Sequence, residues 1–95
     1  MKAVLLLRER HVVAEDAFVE LRIWRVPDPV RGSHHGFKYA LAYVVRGTCV
    51  LRYDNEAGKG DHRHRGDAEE PYDFRSPRQL LDDFWTDVDT WRPQP

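Results

Sequence analysis

FKYALAYVVRGTCVLRYD, residues 37–54, is the most strongly patterned part of the chain. Phe37, Tyr39, Leu41, Tyr43 and Val45 occupy alternate positions, so an extended backbone points them to one side. Arg46-Gly47-Thr48 is a compact turn signal, and Thr48–Asp54 is a second β-rich run. Two such runs across so short a connection predict a β-hairpin. On its second strand Arg52 and Asp54 share one face, and Tyr53 sits on the other.

The chain on the N-terminal side has the same character. In AFVELRIWRV, residues 17–26, Val19, Leu21 and Ile23 alternate with Glu20, Arg22 and Trp24. That spacing predicts a strand with one buried face, ended by Pro27 and Pro29, which cannot donate ladder hydrogen bonds. Trp24 falls on the otherwise polar face and is a candidate for a partner surface. Ala3–Leu7 predicts a short buried strand, with His11–Val13 available to extend it. RGSHHG, residues 31–36, is a loop; its His34 and His35 can complete a site from a neighbouring turn, although surface-loop histidines without a role are the simpler reading.

On the C-terminal side lies YDNEAGKGDHRHRGDAEEPY, residues 53–72, a long charged connection with three glycines and almost nothing apolar. A connection of that length inside a compact domain is usually functional or disordered. Tyr72-Asp73-Phe74 can form a last short strand. SPRQLLDDFWTDVDTW then carries helix signals. Ser76 is a good N-cap, Pro77 fits the first helical position, and Gln79 completes a capping-box pattern. Leu80, Leu81, Phe84, Trp85, Val88 and Trp91 recur at helical spacing, with Asp82, Asp83, Asp87 and Asp89 mostly opposite. The predicted helix runs from Pro77 to Trp91.

These elements predict a single α+β domain over residues 1–95. It is an antiparallel meander of about four strands, with the C-terminal amphipathic helix packed on one face. A hydrophobic content of 41% supports one core and argues against a disordered chain. The formal net charge of −1 gives no global pull toward nucleic acid or membrane. The charge is unevenly spread, however: Asp82–Asp89 is acidic, while Lys59–Arg65 and Arg22–Arg31 are basic. A single cysteine, Cys49, rules out a disulfide within the chain and reads as a small buried hydrophobe. No segment approaches the roughly 20 apolar residues of a membrane span. The run at the N-terminus is too short for a signal peptide. The expected location is cytoplasmic.

Asp61-His62-Arg63-His64 is the densest chemistry. In an extended segment His62 and His64 point to one side, Asp61 and Arg63 to the other. One reading is metal-independent RNA cleavage, in which histidines with near-neutral pKa exchange protons and cations hold the phosphate. Arg52, Lys59 and Arg63 are the candidate phosphate binders, and Tyr53 or Tyr72 can stack a base. A second reading is a metal site of His62, His64 and Asp54 or Asp61, without any recognised ligand spacing to support it. A third is a solvated connection, which leaves a non-catalytic interaction module. Gly58-Lys59-Gly60 does not match a P-loop.

Tyr53–His64, YDNEAGKGDHRH, followed by Pro71-Tyr72 and a terminal helix, resembles the TumE-like toxins of prokaryotic type II toxin–antitoxin systems. The resemblance covers the second half of the chain. The first half matches as an antiparallel strand pattern with the charged Arg22–Arg25 segment. It implies a small cytoplasmic toxin, partnered by a DNA-binding antitoxin, with RNA as the usual target. A homodimer or a toxin–antitoxin hetero-oligomer is compatible with it, and no cofactor is expected. Tyr53, Asp54, Asn55, His62 and His64 match the family motif by position. GKGD stands where the family often carries a larger aromatic or His-rich segment, which leaves the contribution of Lys59 open. The expected catalytic set is His62, His64 and Asp54. The expected substrate-binding set is Arg52, Tyr53, Asn55, Lys59 and Arg63, with Asn55 also capping the loop.

Overall fold

A computed structural model describes residues 2–56 and 58–93. Six strands run in chain order across one antiparallel sheet. They are β1 Val4–Ala14, β2 Ala17–Arg25, β3 Phe37–Val45, β4 Thr48–Asp54, β5 His62–Arg65 and β6 Ala68–Pro71, followed by helix α1 Pro77–Thr90. The α+β meander with a C-terminal helix is as expected, but the sheet has six strands rather than about four.

The two extra strands come from the charged connection. HRHR and AEEP lack hydrophobic alternation, because neither strand has an apolar face to bury. They form instead by extending the backbone ladder of β4, with Asp54 opposite His62 and Arg52 opposite His64. Pro71 ends β6, and a proline is tolerated on an edge strand. Tyr72-Asp73-Phe74 is therefore not a strand.

The β3–β4 hairpin turns through Arg46 and Gly47, whose φ angles of 50° and 78° give the double left-handed bend that fits the twist of the strands. The core lies on one face of the sheet. Val19, Leu21, Ile23, Tyr39, Leu41, Leu51 and Tyr53 meet Leu80, Phe84 and Val88 of the helix. Ser76 caps α1 by accepting from the Gln79 N–H at 3.1 Å, with Pro77 opening the first turn. The reciprocal half of the capping box does not form, because the Gln79 amide turns to Asp83 at 2.8 Å. The helix ends at Thr90, with Trp91 as its C-cap.

Two burial expectations are corrected. β1 is an exposed edge strand, with Val4 at 55% and Val12 at 78% exposure. It pairs on one side only, and the helix packs over β3 and β4 instead. Cys49 is exposed rather than buried. Among the described residues, no helix is long and apolar enough to cross a membrane.

The opposite face of the sheet carries no helix. Strand register places Arg8, Arg22, Ala40 and Asp54 in one row across it, with Arg10, Glu20, Ala42, Arg52 and His64 in the next. Ala40 and Ala42 stand in the centre, and Arg8, Arg10, Arg22 and Arg52 outnumber Glu20 and Asp54 around them, which leaves these rows net basic.

Candidate functional site

The candidate site is a corner of that open face. Directly paired residues of antiparallel strands share a face, so β4 and β5 bring Arg52, Asp54, His62 and His64 together. The next pairing adds Glu69 of β6 opposite His64. Lys59 reaches in from the connection, with its ammonium 3.7 Å from a Glu69 oxygen.

His62 and Asp54 form the buried part of the corner. The Nδ1 of His62 lies 2.9 Å from the Gly60 carbonyl, which can only accept, so this nitrogen carries the proton. Its Nε2 lies 3.0 Å from Asp54 Oδ1. That approach lacks hydrogen-bond geometry, and Oδ1 is a buried oxygen without a hydrogen-bond partner. The other oxygen, Oδ2, is 2.6 Å from Arg52 Nε. Asp54 thus holds negative charge against both a cation and an imidazole.

His64 is the accessible member, with its side chain 35% exposed. Its ring stands edge-on to His62, with centroids 5.2 Å apart. The Nε2 atoms of His62 and His64 lie 3.8 and 3.7 Å from the same Glu69 oxygen. Arg52 and Lys59 are more than half exposed beside them. This arrangement can accept and release protons next to two exposed cations.

Three of the expected substrate-binding residues lie elsewhere. Tyr53 is fully buried on the helix face, so it cannot stack a base. Its hydroxyl donates to Asp87 and accepts from Arg63 Nη1 at 3.1 Å. Burial, reinforced by the Asp87 contact, pushes the Tyr53 phenol well above its usual range. Arg63 also lies on the helix face, donating to Glu70 at 2.7 Å. Burial works to lower its pKa, but the bonds to Tyr53 and Glu70 outweigh burial and raise it. The sheet therefore separates Arg63 from the histidines. Asn55 is also fully buried. It accepts from the Tyr39 N–H at 3.0 Å and donates to the Phe37 carbonyl at 2.9 Å and Ser33 Oγ at 3.1 Å. It orders the connection, as expected of a capping residue, without facing a ligand.

Asp61 anchors a second network that holds the corner in place. It accepts from Ser33 Oγ at 2.6 Å, His35 Nε2 at 2.7 Å and Tyr39 Oη at 2.8 Å. Burial alone would raise its carboxyl pKa, but these three bonds outweigh burial and hold it below the usual value. The Nδ1 of His35 accepts from the Phe37 N–H at 3.2 Å, which fixes the tautomer. Its ring stacks on Phe74 with centroids 3.7 Å apart. His35 is thus a strut between loops rather than a member of the site. Gly32 and Gly60 cross where these loops meet, and a Cβ on Gly32 would lie 2.6 Å from the Gly60 nitrogen.

Sequence reasoning missed Glu69, Ser33 and Tyr39 as contributors, and it offered Asp61 as a metal ligand where the structure gives it the Ser33, His35 and Tyr39 hydrogen bonds. Glu69 was one acid among several in a polar stretch, and only the β5–β6 register singles it out. Trp24 does lie on the open face, as its alternation indicated, with Lys38 Nζ 5.3 Å from its ring centroid.

A family model described as "Toxin TumE" matches residues 2–92. No curated protein and no solved structure matches the chain.

Proposed function

The chain belongs to the TumE toxin family, and from that premise we propose that it is the toxin of a toxin–antitoxin pair and cleaves RNA without metal at the His62–His64 corner. The observation that carries this reading is the half-exposed His64 beside Arg52 and Lys59 at the end of an open basic face. Arg8 and Arg22 have no ion-pair partner among the described residues, so their charge is available to an RNA backbone.

In this mechanism the RNA 2′-oxygen attacks the adjacent phosphorus and the 5′-oxygen leaves. One proton is removed from the 2′-hydroxyl and one is delivered to the leaving oxygen. His64 exchanges a proton with the substrate, and His62 is its partner through Nε2. The Gly60 carbonyl holds the His62 ring at Nδ1, and the Asp54 carboxylate lies beside Nε2. Arg52 binds the phosphate, and Lys59 steers it.

The antitoxin docks on the free edge of β1 in this reading. That edge offers unpaired backbone groups and the exposed Val4, Leu5, Leu6, Val12 and Val13. The alternative, a protein-interaction module without catalysis, uses the same edge and leaves the histidines idle.

The test is induction of the wild-type chain and of the His64→Ala variant in a bacterial host, with new RNA ends mapped from the same cultures. Growth arrest with discrete new ends in the wild type alone supports the reading. Two folded, harmless proteins would remove it in favour of the interaction module.

A further inference from the structure

The corner also gathers three metal-ligating atoms. His62 Nε2, His64 Nε2 and Glu69 Oε1 all lie within 4.8 Å of one another. The two nitrogen-to-oxygen separations are 3.8 and 3.7 Å. Ligands about 2.0–2.2 Å from a tetrahedral zinc ion stand about 3.4 Å apart, so small turns of the His64 ring and of the exposed Glu69 side chain close the set. We propose that His62, His64 and Glu69 bind a divalent transition metal of the zinc class, and that bound metal silences RNA cleavage.

Two features outside the three ligands point the same way. His62 donates its Nδ1 proton to the Gly60 carbonyl, the contact that orients the ring and makes Nε2 the nitrogen available to a metal. Beside Nε2, 3.0 Å away, lies Asp54 Oδ1, buried and without a hydrogen-bond partner. A cation in front of His62 would be stabilised by that carboxylate. The donor set of two imidazoles and one carboxylate suits zinc far better than magnesium or calcium, which take oxygen ligands. Glu69, rather than the Asp54 or Asp61 suggested by sequence, supplies the carboxylate. In the metal-free protein the Lys59 ammonium, 3.7 Å from Glu69 Oε1, compensates its charge. Metal displaces it.

The silencing follows from the ligands themselves. A nitrogen bound to metal holds its lone pair in the bond and can neither take nor give a proton. This consequence, but not the binding, rests on the proposed ribonuclease reading. The site also makes a regulatory prediction: free zinc sets the fraction of active toxin.

The experiment uses the full chain stripped of metal and titrated with Zn²⁺ by calorimetry. Co²⁺ serves as an optical probe of low-coordinate binding. One metal per chain is expected, with affinity reduced about tenfold or more in Glu69→Gln and again in His64→Ala. Glu69 is exposed, and circular dichroism of the metal-free variants checks that both fold. No saturable binding, or binding unchanged in both variants, overturns the site. RNA cleavage by the metal-free wild type should fall as zinc fills the site, and Glu69→Gln should need more zinc for half-inhibition. Cleavage indifferent to bound zinc overturns the silencing. A protein that binds metal through these ligands but cleaves no RNA in either form sustains the site and removes the ribonuclease reading.

Discussion

His62 and Asp54 face each other across the β4–β5 pair, with Nε2 3.0 Å from Oδ1 and both side chains almost excluded from solvent. His64, two residues on, points from the same face into water. One histidine is thus held in place by its surroundings and the other is the accessible one. They predict different outcomes on mutation.

His64→Ala should abolish toxicity and change stability by less than about 0.5 kcal/mol, because a partly exposed side chain without a buried hydrogen bond contributes little to folding. Denaturant titration beside the growth assay checks this. His62→Ala is the poorer probe, since it also empties a buried, hydrogen-bonded position.

Asp54→Asn keeps the shape of the corner but removes the charge beside His62 Nε2. RNA cleavage should fall about a hundredfold, and the pH–rate profile should move as well. A purely structural role would lower the fraction of folded protein and leave the profile of the remainder unchanged.

Asp61 links stability to pH. Its carboxyl pKa in the folded chain lies below the ordinary aspartate value, so the ionised form is the one the fold favours. That contribution is present above the unfolded pKa and is lost as pH falls through the folded pKa. Thermal melts should therefore show Asp61→Asn well below wild type at neutral pH, with the gap narrowing as pH falls below about 4. A gap that widens in acid would contradict the assignment.

The Gly32–Gly60 crossing predicts an asymmetry between glycines. Gly32→Ala places a Cβ 2.6 Å from backbone at a φ of 88°, and should cost more than about 2 kcal/mol. Gly47→Ala has open space at a φ of 78°, and should cost only about 1 kcal/mol. Paired denaturation curves measure the difference.

Val12→Lys tests the β1 edge. Val12 is 78% exposed, so the variant should fold as wild type. Co-expressed with its antitoxin, it should bind about tenfold or more weakly, by calorimetry, while leaving toxicity of the free chain intact.

The β3–β4 hairpin and the Pro77 helix were legible in the sequence because their signals are local. Alternate apolar residues, an Arg-Gly turn, a Ser cap and a following proline act within a few positions of themselves. The pairing of Arg52 with Asp54, and of His62 with His64, on shared faces followed from the same period of two. Whether those pairs would meet did not. β5 and β6 carry polar residues on both sides, so no hydrophobic pattern marks them, and their existence depends on hydrogen bonds to a strand already in place. The register of those strands, set by backbone pairing and not by composition, brought Glu69 to the histidines. The placement of the helix, governed by where Leu80, Phe84 and Val88 find apolar cover, put Tyr53 and Arg63 behind the sheet. The chain itself thus supplied the histidines, the carboxylate and the cations. Long-range pairing and the one-sided core selected which of them share a surface.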